Sequence, residues 1–292
     1  MEAWKKQWGA RQWAAFFETK KLPVMTRTKQ QLNTTIEQRG EQLAPQDLAS
    51  IALGDPLLCL QLLREAERIR STRLGTETTT VLHAVMQLGV DKVNRLLLDS
   101  NELGEDELEV MAGFTYVEAR SALAARVALR WAPGRADLNP QEVALAALLN
   151  DSGELLLWLY APELAQAALD ELKSGRATRS AQAQSQACGF TFKELTMHCA
   201  ELWNLPALLL KLLQGAASER AQLTRICTDV ARHAMSTDDT ADQALVADLL
   251  AVRKLMPHAS FNWLVESLSE LEIERRQHLI DLAESAQQQD SE

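Results

Sequence analysis

Three features of this sequence predict an all-α chain. Leu, Ala, Glu and Gln dominate long stretches, and these side chains give up little rotamer freedom in a helix. Breakers are sparse, with 12 Gly and 8 Pro in 292 residues, and they fall between apolar segments, where they start and stop helices. No segment sustains period-two alternation between turn signals, so no strand is expected. A hydrophobic content of 47% is enough for one large core or two moderate ones, and at this length two helical subdomains are the expectation. No tandem repeat of fixed length is present.

The elements follow in order. Residues 1–21 form a leading segment in which Trp4, Trp8, Trp13 and Phe16 stand among Lys5, Lys6, Gln7, Arg11 and Gln12, predicting an amphipathic helix over 3–18. A helix docked on its own domain is the favoured reading. The sharper alternative is a detachable contact for a partner or an anionic membrane surface, made by Trp4, Trp8, Trp13 and Phe16. Residues 22–100 read as five short helices: Pro23 opens the first, Pro45 the second, and Gly54-Asp55-Pro56 divides the second from a third over 57–69. Val81, Val85 and Leu88 carry the fourth up to Gly89, and Val93, Leu96 and Leu97 face the fifth.

Residues 101–217 form the next helical block. An acidic stretch, Asn101 to Glu109, serves as a linker or helix start, and a long helix then runs through Glu118 to Trp131, ended by Pro133-Gly134. Shorter helices follow over 140–149, 154–160, 162–173, 178–187 and 192–203, and another begins at Pro206. Residues 218–286 read as a C-terminal helical extension over 220–235, 240–255 and 261–286, and 287–292 as a disordered tail with nothing to bury.

The formal charge is −10, from 40 acidic against 30 basic residues; a field of that sign repels phosphate backbones and argues against nucleic acid as a ligand. Only the N-terminal region, with Lys5, Lys6, Arg11, Lys20, Lys21, Arg27 and Lys29, is locally basic. The four cysteines, Cys59, Cys188, Cys199 and Cys227, have no metal- or redox-motif spacing, which fits buried thiols in a reducing cytoplasm. No signal peptide is read at the N-terminus, and no stretch is read as approaching the ~20 apolar residues that span a bilayer.

Four passages together resemble the HDOD family of bacterial signalling domains, a catalytically degenerate relative of the metal-dependent HD phosphohydrolases. They are Leu22-Pro23 with the helix from Thr26; Leu48 to Leu58 with Gly54-Asp55-Pro56 at its centre, continued by Leu62-Leu63-Arg64-Glu65-Ala66; Val81 to Gly89, ending in Leu-Gly; and Leu202-Trp203-Asn204-Leu205-Pro206. The resemblance covers roughly residues 22–215 and implies an N-terminal helical bundle packed on an HD-like helical subdomain. It further implies a cytoplasmic module that works through contacts with other signalling proteins.

The same resemblance locates a degenerate site. HD phosphohydrolases hold metal with several imidazoles and carboxylates, and the metal activates water. Here Arg120-Ser121 stands at the place of the first His, Asn150-Asp151 at the His-Asp pair, Phe192 where the family often has a further His, and about Gln214-Gly215 where a His pair would follow. Asp151 remains, with Asp229 as the match to the superfamily's last Asp, and two carboxylates without imidazole make a poor transition-metal site. Asn150 with Asp151 reads as a helix cap in preference to a ligand pair.

His83, His198, His233, His258 and His278 are scattered, no two at i, i+3 or i, i+4, although His198 could face the degenerate pocket. No nucleophile-elbow motif or Gly-rich phosphate loop is present. Trp131, Trp158 and Trp203 read as core anchors, and Leu208 to Leu213 as a buried helix. The expectation is therefore a regulatory module without cofactor or catalytic residues. The alternatives are a residual phosphohydrolase acting through Asp151 and a nucleotide or small-molecule sensor in the degenerate pocket.

Overall fold

The computed structural model describes residues 8–70, 77–236, 238 and 240–289. Its helices are α1 (Ala10–Glu18), α2 (Thr26–Arg39), α3 (Pro45–Ala52), α4 (Pro56–Arg70), α5 (Val81–Leu88), α6 (Val90–Asp99), α7 (Glu105–Val110), α8 (Ala112–Trp131), α9 (Pro140–Leu149), α10 (Ser152–Tyr160), α11 (Pro162–Lys173), α12 (Ser180–Cys188), α13 (Phe192–Leu202), α14 (Ala207–Gln214), α15 (Glu219–Ala234), α16 (Ala241–Leu255), α17 (Phe261–Glu266) and α18 (Ile273–Gln289). The all-α class is what the residues form.

Three local expectations need correction. Two strands exist after all: β1 (Val24–Met25) pairs in parallel with β2 (Glu102–Leu103), Val24 opposite Glu102 and Met25 opposite Leu103. At two residues each they are too short for any alternation to reveal, and they form because the segment before α2 lies along the one after α6. The leading helix begins at Ala10 rather than near residue 3, with the Gln12 side chain accepting a hydrogen bond from the Gly9 N–H at 3.0 Å. Residues 1–7, including Trp4, lie outside the described residues.

The long C-terminal helix expected over 261–286 is two helices, α17 and α18. Ser267 accounts for the break: its hydroxyl donates to the Leu264 carbonyl at 2.6 Å, offering the backbone a local alternative to helix, and accepts from the buried Trp131 indole N–H at 2.7 Å. Helix α18 then continues to Gln289, three residues into the segment read as tail.

The chain divides into two compact units: residues 1–119 with 148–210, and residues 120–147 with 211–292. In the first, helices α2–α6 pack around the fully buried carboxylate of Asp55. It accepts from the N–H groups of Leu57 and Leu58, both at 3.0 Å, which caps the start of α4. Its other oxygen accepts from the Met25 N–H at 2.9 Å and the Thr28 hydroxyl at 2.8 Å, fixing the start of α2. Lys29 donates to the Leu98 and Ser100 carbonyls at 3.2 and 2.8 Å, placing a cation where the dipole of α6 ends.

Still within the first unit, the bundle is tied to the helices that follow it. Arg27 pairs with the buried Glu118 near the start of α8, and the Arg64 guanidinium lies 4.6 Å over the Trp203 ring. Helix α1 is docked: Trp13 and Phe17 are buried, and α1 packs along α13. Phe17 and Phe16 meet Tyr160 of α10 with ring centroids 5.7 and 6.3 Å apart. Arg64 closes the end of α1 by donating to the Glu18 carbonyl at 2.8 Å.

The second unit is built on α15, α16 and α18. Trp131 is its fully buried anchor, and Arg275 pairs with Asp242 at 2.7 Å. Contrary to the reading of the sequence, one stretch among the described residues, Pro140–Tyr160, has the length (21 residues) and apolar composition to cross a membrane. It is broken into α9 and α10 at Asn150-Asp151, and most of it is buried inside the protein.

Candidate functional site

The turn between α9 and α10 holds the two residues that stand at the expected His-Asp position. Asp151 occupies the N-cap position of α10, and its carbonyl accepts the Leu155 N–H at 3.0 Å, but its carboxylate makes no capping bond. Instead Asp151 Oδ1 accepts from the Asn150 side-chain amide at 2.8 Å. The amide oxygen of Asn150 in turn accepts from Lys193 Nζ, one residue into α13, at 2.9 Å. Lys193 as a residue is exposed, yet its ammonium is hemmed in: desolvation lowers its pKa from the usual lysine range, and the charge of Asp151 opposes that shift.

Beneath this chain of polar groups α10 and α13 are in backbone contact. The Thr196 hydroxyl accepts from the Gly153 N–H at 3.0 Å and donates to the Phe192 carbonyl at 3.1 Å. A Cβ on Gly153 would lie 2.6 Å from the Phe192 carbonyl oxygen and 2.7 Å from the Thr196 nitrogen, so only glycine allows this approach. Phe192 is itself buried, and its N–H donates to the Gln184 side chain at 2.8 Å.

Asn150, Asp151 and Phe192 thus belong to one locale of the first unit. Arg120, buried on α8, and Asp229, on α15, belong to the second. Asp229 pairs with Arg232 at 3.1 Å. His198 lies 3.5 Å from Glu201 on its own helix. Among the described residues there is no group of three or more His, Cys, Asp or Glu that could hold a metal ion. At the α9–α10 turn Asn150 presents an N–H, not a lone pair, to Asp151.

Sequence reasoning missed Lys193 and Thr196. Each sits one helical turn or less from Phe192, and the signal was their spacing on the face of α13 that meets the turn.

In the second unit, His233 Nδ1 lies 2.7 Å from Asp248 Oδ2. Burial raises the Asp248 carboxyl above the usual aspartate range; the hydrogen bond and charge of His233 and the charge of Arg232 pull it down, while Asp229 adds to the rise. A folded-state pKa above the unfolded one means the native state holds its proton more tightly. Stability from this group is full below the ordinary aspartate value and declines as pH climbs to the raised one. Asp248→Asn removes that decline, so its melting temperature relative to wild type climbs as pH rises past the ordinary aspartate value toward the raised one. Paired melts check this, and a difference independent of pH contradicts it.

All four cysteines are free and buried, and burial pushes Cys188 up to about 11 and Cys199 up to about 12. Thiols held so far above neutrality carry almost no thiolate and are poor nucleophiles.

The model of the HDOD domain matches residues 22–219, and the chain belongs to the HDOD family. Its all-α architecture is an N-terminal bundle packed on an HD-like helical subdomain with a degenerate active site. Among solved structures it is similar to a virulence factor of Campylobacter jejuni, at 16% identity and TM-score 0.69 over 95% of this chain and 99% of that one. It is also similar to the MmoQ response regulator of Methylococcus capsulatus str. Bath, at 19% identity and TM-score 0.62 over 82% and 98% of the two chains. At these identities the likeness is one of fold. No curated protein matches the chain in sequence.

Proposed function

We propose that this protein is a non-catalytic regulatory module that acts in the cytoplasm through contacts with other signalling proteins. The observation that carries the reading is the state of the Asn150-Asp151 turn. The residue that would supply an imidazole is an amide, both ends of its side chain are engaged by Asp151 and Lys193, and no described His joins them to make a ligand set. Metal-assisted hydrolysis requires a cation with open coordination positions, which this donor set does not provide. Membership of the family supports a signalling role, as does the fold shared with a protein described as a response regulator. The half-buried Trp8, just before α1, and Phe16, on α1, are the aromatic candidates for a partner contact.

The test is turnover. The purified protein, assayed against nucleotide and other phosphoester substrates with and without added Mg²⁺ or Mn²⁺, is expected to give the uncatalysed rate. Hydrolysis that disappears in Asp151→Ala would overturn the reading in favour of a residual phosphohydrolase. Saturable nucleotide binding without turnover would favour a sensor pocket instead.

A further inference from the structure

We propose that α1 is a built-in occupant of a helix-binding groove on α4, α10 and α13, displaced there by a partner's amphipathic helix that carries two aromatic residues four apart and ends in a carboxylate. The inference deepens the protein-contact reading and rests on it.

The groove is defined by how it holds α1. Trp13 and Phe17, four residues apart and so on one face of the helix, are buried together with Ala14. Helix α1 packs along α13, and Phe17 meets the Tyr160 ring of α10 at 5.7 Å. The C-terminal end is held by donors from the other two helices. Arg64 of α4 donates to the Glu18 and Lys20 carbonyls at 2.8 and 3.4 Å, and the Tyr160 hydroxyl donates to the Lys21 carbonyl at 3.4 Å. A guanidinium on the last carbonyls of a helix reads the negative end of its dipole. Two aromatic anchors and one cation at the end make a recognition site for a short helix. Helix α1 lies ahead of residues 22–219, which match the family model, so the groove belongs to the domain and its occupant does not.

Three polar groups make α1 an imperfect occupant. The indole nitrogens of Trp13 and Trp203 are buried with no hydrogen-bond partner among the described residues, and a buried N–H without an acceptor weakens the packed state. The described partners of the Arg64 guanidinium are the two carbonyls and the Trp203 ring, 4.6 Å away, not a carboxylate. Burial pulls its pKa below the ordinary arginine range, against the opposing charges of Glu18 and Glu65. A helix that ends in a carboxylate at this point would give Arg64 a charge-assisted bond that α1 does not provide.

The experiment uses the full chain, its Trp13→Ala, Phe17→Ala and Phe17→Ala/Arg64→Met variants, and a fluorescent peptide of residues 8–18. That peptide ends at Glu18, whose carbonyl Arg64 already touches, and is made with a free C-terminal carboxylate and as its amide. Native-state hydrogen exchange of the wild type is expected to show α1 amides exchanging at least tenfold faster than those inside α4 and α13, because α1 opens alone. In anisotropy titrations the peptide should bind Trp13→Ala and Phe17→Ala at least tenfold more tightly than wild type, where tethered α1 competes at high effective concentration. The carboxylate form should bind those two variants more tightly than the amide by about fivefold, and Arg64→Met should abolish that preference.

Protection of α1 equal to that of α4 and α13 in the wild type overturns displacement, whether or not the variants fold, because the helix then leaves only with unfolding of its unit. A peptide that binds neither weakened variant, or binds as well after Trp13→Ala and Phe17→Ala in its own sequence, overturns the groove. Equal affinity of carboxylate and amide overturns the anionic end. These failures are separable from failure of the non-catalytic reading, which only phosphoester turnover by the wild-type protein would show.

Discussion

Replacing Asp55 with Ala lowers the stability of the first unit by about 3–5 kcal/mol, the range for removing one partner from a buried, hydrogen-bonded charge network. The carboxylate is fully buried and accepts four hydrogen bonds, from the backbone of Met25, Leu57 and Leu58 and from the Thr28 hydroxyl. In the alanine variant three N–H groups lose their only described side-chain acceptor, the N-cap of α4 disappears, and the segment leading into α2 is released from it. Asp55→Asn keeps one acceptor oxygen and the shape, so its loss should be about half as large. Urea unfolding followed by circular dichroism measures both. A loss under about 1 kcal/mol in Asp55→Ala would show that packing of α2–α6 holds these termini without the carboxylate.

Gly153→Ala sets two effects against each other. Helix propensity favours alanine over glycine by about 1 kcal/mol inside a helix, and Gly153 is the second residue of α10. Sterics oppose it: the new Cβ would sit 2.6 Å from the Phe192 carbonyl oxygen, 2.7 Å from the Thr196 nitrogen and 2.8 Å from the Thr196 hydroxyl. Two of those three atoms are backbone in α13, so relief requires separating the helices rather than turning a side chain. Overpacking of this kind costs typically 1–3 kcal/mol, and the Gly153–Thr196 hydrogen bond is strained as well. A net destabilisation of about 2–3 kcal/mol is expected in thermal or urea unfolding; a stabilised variant would mean that α10 and α13 yield easily at this point.

How far the sequence foretold these features depends on whether the deciding signal is local. Helix starts were legible because they rest on nearby residues: Pro45, Pro140 and Pro162 each open a helix as expected. Gly54-Asp55-Pro56 marked a break between helices, but the four hydrogen bonds onto Asp55 come partly from residues 27 and 30 positions away, which no spacing rule reports. The β1–β2 pair was illegible for the same reason.

The split between α17 and α18 turned on Ser267, whose hydroxyl is claimed by Trp131, 136 residues earlier. At the candidate site, the order of the motifs that resemble the family pointed to Asn150-Asp151 as the expected His-Asp position. What that pair does instead depended on Lys193 and Thr196 arriving from α13, 43 residues and more away, so the polar chain could only be seen once the helices were in place.

The claim on which the account rests is that the Asn150-Asp151 turn does not hold a metal. Elemental analysis of the protein, purified without chelator and then equilibrated with Mn²⁺ and Zn²⁺ before desalting, tests it most directly. The account predicts metal far below one equivalent and no difference between wild type and Asp151→Ala; near-stoichiometric metal that is lost in Asp151→Ala would contradict it.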